Sequence, residues 1–236
     1  MSSFTLAWHF LIFGVLPYVV IAVLILGSLA RFVLAPFSWK SQSSEILDKK
    51  DIFWGANLFH IGVIFLFCGH CFGLFTPTEW LNAAGLTPRL HQMMEIICGG
   101  LSAIVAITGL IILTCLTNER VRAASRPSDF WVLFLLLAVI ILGIGCVVNS
   151  YLYDKSGATI ILLGGWVRGL FSFDYQAWQN ILLVPDWQKG HIFVGLIIFL
   201  IVPFTRLVHI WSGYLSVFYL IRPHQIMRAN NGKPMK

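Results

Sequence analysis

Five long apolar stretches dominate the chain, at about Trp8–Leu34, Trp54–Phe75, Met94–Leu116, Phe130–Val148 and Gly190–Leu215. Clear breaks separate them: Pro36 with a polar run to Asp51, Thr76-Pro77, Thr117-Asn118, and Asn149. The hydrocarbon layer of a bilayer is about 30 Å thick and takes roughly 20 apolar residues of helix to cross. The pattern therefore predicts an all-α fold, a polytopic membrane bundle of five transmembrane helices. Pro17 and Pro203 fall inside the first and fifth stretches. Each is expected to kink its helix and free a backbone carbonyl that a neighbour must satisfy. A further apolar segment, Thr159–Phe173, is interrupted by Gly164, Gly165, Arg168 and Gly169 and is too short to span. It is expected to lie on, or dip into, the outer interface, with a loose external loop as the alternative.

Composition adds the solvent. Of 236 residues, 58% are hydrophobic and 11% charged, with a mean hydropathy of +0.83. Soluble domains average about a quarter charged residues, so this surface belongs in lipid. The expected organisation is one membrane domain over 1–220 and a cytoplasmic tail over 221–236. The net charge of +6 does not point to nucleic acid, because Lys and Arg occupy short connections and the tail, without a basic stripe or nucleic-acid motif. Their distribution reads instead as topology, with attraction to anionic lipid headgroups. Arg31, Lys40, Lys49 and Lys50 fall in the first connection, and Arg120, Arg122 and Arg126 in the third. Arg222, Arg228, Lys233 and Lys236 follow the last span, whereas the second connection has Arg89 alone and the long fourth has Lys155, Arg168 and Lys189. The positive-inside rule then puts the N-terminus outside and the C-terminus in the cytoplasm. Trp8, Trp54, Trp80, Trp131 and Trp211 sit near span ends, as interfacial aromatics do. Cys68, Cys71, Cys98, Cys115 and Cys146 lie in apolar stretches and read as small packing residues. Without a basic n-region or a small-residue cleavage site, no removable signal peptide is expected.

Histidine is costly in hydrocarbon, so an intramembrane one is a functional candidate. The second span holds His60 and His70, and the fifth holds His191 and His209. His9 reads as an interface residue and His224 as a tail residue. On ideal helices His60 and His70 are about 15 Å apart along the axis, and His191 and His209 about 27 Å. Five spans make the second and fifth antiparallel, which pairs His60 with His209 near the cytoplasm and His70 with His191 near the outside. The pair midpoints are then about 21 Å apart. Zinc wants four ligands at one point, which separated pairs do not supply. One imidazole on each face of a flat macrocycle suits haem iron. The reading is two stacked haems carrying electrons across the bilayer; a proton-relay transporter is the alternative from another class. Cys68-Gly69-His70-Cys71 is followed by Phe72, so the c-type attachment motif is missing and the haems are expected to be non-covalent, b type. Gly62, Gly69, Gly73, Gly190 and Gly195 flank the ligands, as room for ring faces or as helix-packing positions. Arg206, three residues before His209, and Arg120 or Arg122 are candidate partners for the inner haem's propionates, against ordinary positive-inside anchoring.

Ser43-Ser44-Glu45-Ile46-Leu47-Asp48-Lys49-Lys50, followed by Asn57-Leu58-Phe59-His60-Ile61-Gly62 and Gly69-His70-Cys71-Phe72-Gly73, resembles the gamma subunit of respiratory nitrate reductase. So do Arg120-Val121-Arg122-Ala123 and the run Pro203-Phe204-Thr205-Arg206-Leu207-Val208-His209-Ile210-Trp211-Ser212, in family order. The resemblance implies a dihaem cytochrome b of a prokaryotic cytoplasmic (inner) membrane. His60 and His209 would be the ligands of the inner haem b, and His70 and His191 those of the outer one. It also implies that a quinol, ubiquinol or menaquinol from the quinone pool, is oxidised near the outer haem. Electrons would then pass to an iron–sulfur beta subunit and a molybdenum-containing alpha subunit, which does the nitrate chemistry. A lysine associated with the family's quinol site corresponds here to His91, which with Gly69 is the implied quinol site. Histidine in that place can donate a hydrogen bond or accept a proton. Related dihaem anchors serve sulfur-compound reduction or nitrite oxidation, so the terminal substrate is not legible in these residues.

Overall fold

The computed structural model describes residues 3–35, 49–115 and 127–210, and all regular structure within them is helical. Five helical stretches are long and apolar enough to cross a membrane: Ser3–Leu34, Phe53–Phe75, Pro88–Thr114, Ser128–Tyr153 and Asp186–Phe204. They stand where the hydropathy pattern puts spans one to five, and the differences lie at their ends. Span three starts at Pro88 instead of Met94. The Thr87 hydroxyl caps it by accepting from the Leu90 amide at 3.3 Å, and proline suits the first turn, where its missing N–H costs nothing. Span four runs past Asn149 to Tyr153. The polar Ser150 near its end is accommodated because the Gln92 amide donates to its hydroxyl and carbonyl. Span five does not run to Leu215 as one helix. Its α-helix stops at Ile201, and two 3₁₀ turns, Val202–Phe204 and Arg206–Val208, follow. Arg120, Arg122, Trp211, His224 and the tail 221–236 lie outside the described residues.

At Pro17 the freed carbonyl finds a partner; near Pro203 the α-helix ends and the carbonyls beyond its end are held instead. Pro17 offers no N–H to the preceding turn. A π-helical turn, Leu11–Val15, precedes it, and the Phe13 carbonyl takes its bond from the Trp166 indole N–H at 2.8 Å. At the broken end of span five, the Arg31 guanidinium donates to the carbonyls of Pro203 at 2.7 Å and Thr205 at 2.8 Å. In lipid each such carbonyl left alone would cost several kcal/mol, on the order of a desolvated polar group.

Trp166 belongs to a sixth helix, Ala158–Phe171, the segment expected at the interface. It is a packed element, not a loose loop. Its Trp166, Val167 and Leu170 form a core with Phe13, Ala177, Ile181 and Val184. Its Arg168 donates to the Leu74 and Thr76 carbonyls at the end of span two. Asp154 organises the turn leading into it, accepting the amides of Ser156, Gly157 and Thr159 at 2.9–3.0 Å. Burial raises the carboxyl's pKa, but these bonds with the Ser156 hydroxyl outweigh it and hold the group at about 2. Gly157 sits in the left-handed region (φ +76°), and a Cβ there would also strike the Pro88 carbonyl.

Spans two and three make the tightest helix pair. Side chains added at Gly55, Gly62 and Gly109 would run into Leu113, Ala106 and Phe59 respectively, in each case against backbone. Close approach through small residues is the usual basis of helix association in lipid, where apolar burial alone gives little drive. Span five packs instead on spans one and four. Trp187 fills the place a side chain at Gly145 would need, and Pro203 abuts Gly27.

Replacing Gly62 by Val should prise spans two and three apart and cost about 1–3 kcal/mol, the usual range for overpacking. A lower midpoint of thermal unfolding in detergent is the expected result. Asp154 has a folded pKa below its unfolded one, so its contribution is complete above about pH 4 and lost as pH falls towards 2. The Asp154→Ala variant should therefore lose stability at neutral pH but differ little from the parent near pH 2, measured by unfolding at each pH.

Candidate functional site

The four intramembrane histidines come together as two pairs. The His70 and His191 rings are 5.9 Å apart between centroids and inclined by 18°. The His60 and His209 rings are 6.2 Å apart and inclined by 71°. These are the partners that antiparallel spans require. The continuous-helix distance between His191 and His209 does not apply, because span five breaks between them, yet the break still delivers His209 opposite His60.

Each ring is oriented by its Nδ1. His60 reaches the Ala56 carbonyl at 2.7 Å, His70 the Leu66 carbonyl at 2.7 Å, and His209 the Arg206 carbonyl at 2.7 Å. His191 differs in reaching across to span four, where the Val139 carbonyl stands 3.0 Å away. Gly143 opens that approach, since a Cβ there would lie 3.2 Å from the His191 ring. A carbonyl can only accept, so all four Nδ1 atoms carry the hydrogen and all four Nε2 atoms keep a lone pair for a metal. Two imidazoles on opposite sides of one metal ion, at about 2 Å each, have ring centres roughly 6 Å apart. Both pairs meet that spacing. Among the described residues no three His, Cys, Asp or Glu converge on one point, so each pair brings together two nitrogens. A side chain at Gly69 or Gly195 would meet nothing within 4 Å, whereas Gly62 is filled by Ala106 and Gly73 by Glu95. The ligand-flanking glycines thus divide between open ring-face positions and packing positions.

The His60–His209 end is braced by charge. Arg206 forms an ion pair with Asp129 at 2.9 Å, joining the turn before His209 to the start of span four. Arg31, from span one, holds the carbonyls of that same turn. Sequence reasoning counted Arg31 only as a topology marker, and its helix-capping role becomes visible once Pro203 breaks span five.

His91 lies in the first turns of span three, not in a connection, and is 4% exposed. The Phe72 ring meets it edge-on at 5.9 Å. Its Nε2 is buried without a hydrogen-bond partner and borders a small cavity with Gly73, Thr76 and Arg168. Glu95, one helical turn further along, also faces Gly73. Sequence reasoning missed Glu95, although an acid inside an apolar span was signal enough.

The fold and these pairs define a multi-pass membrane protein with two facing histidine pairs in one bundle. The nitrate reductase gamma subunit family model matches residues 9–230, and the chain belongs to that family. It is therefore a membrane subunit of an oxidoreductase complex, in the inner membrane. It is 34% identical over 221 residues to the respiratory nitrate reductase 1 gamma chain of Escherichia coli (strain K12), covering 93% of this chain and 96% of that one. Identity is again 34% over 224 residues with the nitrate reductase gamma chain of Bacillus subtilis (strain 168), covering 94% and 98%. The nitrate reductase-like protein NarX of Mycobacterium tuberculosis (strain ATCC 25618 / H37Rv) is 27% identical over 228 residues, which are 93% of this chain and 34% of that protein.

Replacing Arg31 by Leu should leave two carbonyls unsatisfied and cost about 1–3 kcal/mol. A lower unfolding midpoint, with metal-site loss confined to the His60–His209 pair, is the expected outcome.

Proposed function

We propose that this chain is the cytochrome b subunit through which a nitrate reductase draws electrons from quinol. The observation that carries the reading is the paired geometry: four imidazoles, all anchored through Nδ1, facing each other in twos at the separation a shared metal requires. His60 and His209 would hold an inner haem b, and His70 and His191 an outer one. Bound there, the two haems supply one-electron carriers at two depths of the bilayer.

The protein's own residues do the rest. The Nδ1–carbonyl bonds fix tautomer and ring plane and make each ligand more basic. Arg206 is assigned to an inner propionate; a guanidinium has five N–H donors, so its bond to Asp129 does not exhaust it. His91 is assigned to the quinol, either donating a hydrogen bond to it or accepting its proton at Nε2. Gly69, without a side chain, leaves room for the ring beside His70.

The Lys and Arg distribution places the N-terminus outside and the His60–His209 pair towards the cytoplasm. Quinol protons would then leave outward while electrons move inward to an iron–sulfur beta subunit and a molybdenum-containing alpha subunit. Those partners would dock on the cytoplasmic face, with the tail 221–236 beside the membrane domain 1–220. An electron crossing the full field inward stores about 2.3 kcal/mol per 100 mV.

A reduced-minus-oxidised spectrum of the purified complex tests the central claim. Two b-type haems per gamma chain are expected, and none would refute it. The His70→Ala variant should stay inserted, keep one haem and lose quinol oxidation. Unchanged haem content would reject the pairing.

A further inference from the structure

We propose that Glu95 is a second proton acceptor for the quinol, working beside His91. The inference rests on the quinol reading above and adds a residue to it. Spans two and three keep one register along their interface: Gly55 meets Leu113, Phe59 meets Gly109, Gly62 meets Ala106, and Gly73 meets Glu95. Continuing that register sets Gly69, the neighbour of His70, level with Gly99. Side chains added at Gly69 and at Gly99 would each meet nothing within 4 Å. Neither helix therefore carries a side chain on this face at the depth of His70, and the pair is open there to a flat ring.

The roof of this opening is polar. Glu95 Oε1 lies directly over Gly73, and His91 Nε2 is 3.5 Å from the same point above that glycine. The two groups are one helical turn apart on a common face and converge on one backbone position. His91 is 4% exposed, with Nε2 unpartnered. Neither ion pair among the described residues involves Glu95. An ionisable group in hydrocarbon without a counter-ion is costly, and such groups mark proton paths more often than packing. The π-helical turn Glu95–Gly99 runs between the roof and the opening, and insertions of this kind recur at functional sites.

The stoichiometry calls for two acceptors. A quinol oxidised to the quinone releases two electrons and two protons. Haem held by the histidine pairs would supply the one-electron acceptor, and each O–H bond breaks by proton transfer to a base. His91 Nε2 takes one proton and the Glu95 carboxylate the other. His91 then discharges through the small cavity that it shares with Thr76, Thr78 and Arg168, and Glu95 through His91, with which it converges over Gly73. Of the other titratable or charged groups in this region, span two brings His70 and Cys71, and the Ala158–Phe171 helix brings Arg168, which donates to the Leu74 and Thr76 carbonyls. Arg89 and Asp154 are engaged in the turn where span four ends.

The test is stopped-flow reduction of the haems by a short-chain quinol in the purified complex, for the parent, Glu95→Gln and Glu95→Asp. Glutamine keeps the size and hydrogen bonding of Glu95 but accepts no proton. Reduction in Glu95→Gln should slow about a hundredfold or more, within the range of lost general-base catalysis, and lose one limb of its pH profile. Haem content, the oxidised and reduced spectra, and nitrate reduction by a viologen dye should stay at parental values. Glu95→Asp should recover most of the rate. Parental rate and pH profile in Glu95→Gln, with both haems present, would overturn the role of Glu95 and leave the cytochrome reading intact. Absence of haem from the parent would overturn both.

Discussion

An imidazole can serve a metal only through a nitrogen that carries no proton, and which nitrogen that is depends on what the other one touches. In this bundle the other one always touches a main-chain carbonyl. Three of the four carbonyls belong to the histidine's own strand of chain, one turn or less behind it, so the helix itself sets the ring. The fourth, Val139, comes from a neighbouring span and needs Gly143 to let the ring in. The relative placement of spans four and five is therefore part of the His191 site. A helix interface, and not a single side chain, defines that ligand's direction.

The same demand for satisfied carbonyls explains why elements of unlike kind surround the bundle. Hydrocarbon offers no water to a carbonyl that a proline has released. Span one solves the problem at Pro17 by borrowing the indole of Trp166, which ties the Ala158–Phe171 helix into the core. Where span five breaks near Pro203, Arg31 holds the carbonyls of Pro203 and Thr205 and ties span one to the turn presenting His209. Kinks that would weaken an isolated helix thus become the joints between helices. The ligand geometry inherits its rigidity from them.

Much of this was legible in the residues. The spans, the prolines and the histidine partners follow from hydropathy length, from the missing N–H of proline and from antiparallel order, all of which are local or additive properties. Span ends were less legible, because Thr87 and Ser150 take their roles from partners elsewhere: a cap in one case, the Gln92 amide in the other. The ligand-flanking glycines looked alike in sequence yet divide between contact with Ala106 at Gly62 and open space at Gly69. Only the facing helix distinguishes them. Arg31 was counted for its charge, whereas its geometry matters more, and that depended on exactly where span five breaks, a place no periodicity marks.

The two ends of the site differ in the kind of polar group they carry, and this difference suits a division of labour. Around the His60–His209 pair stand Arg31, Arg206 and Asp129, all engaged in fixed hydrogen bonds or an ion pair. Arginine keeps its proton at any physiological pH, so the two guanidinium groups steady charge and hold geometry without ferrying protons, and Asp129 is tied to one of them. Around the His70–His191 pair the available groups are a histidine with a bare nitrogen and a carboxyl group, both turned to one glycine, the histidine also bordering a small cavity. These are groups that exchange protons. A chain that only relayed electrons would need no such asymmetry. One that separates protons from electrons needs bases at the end where they part and fixed charge at the end where electrons leave alone.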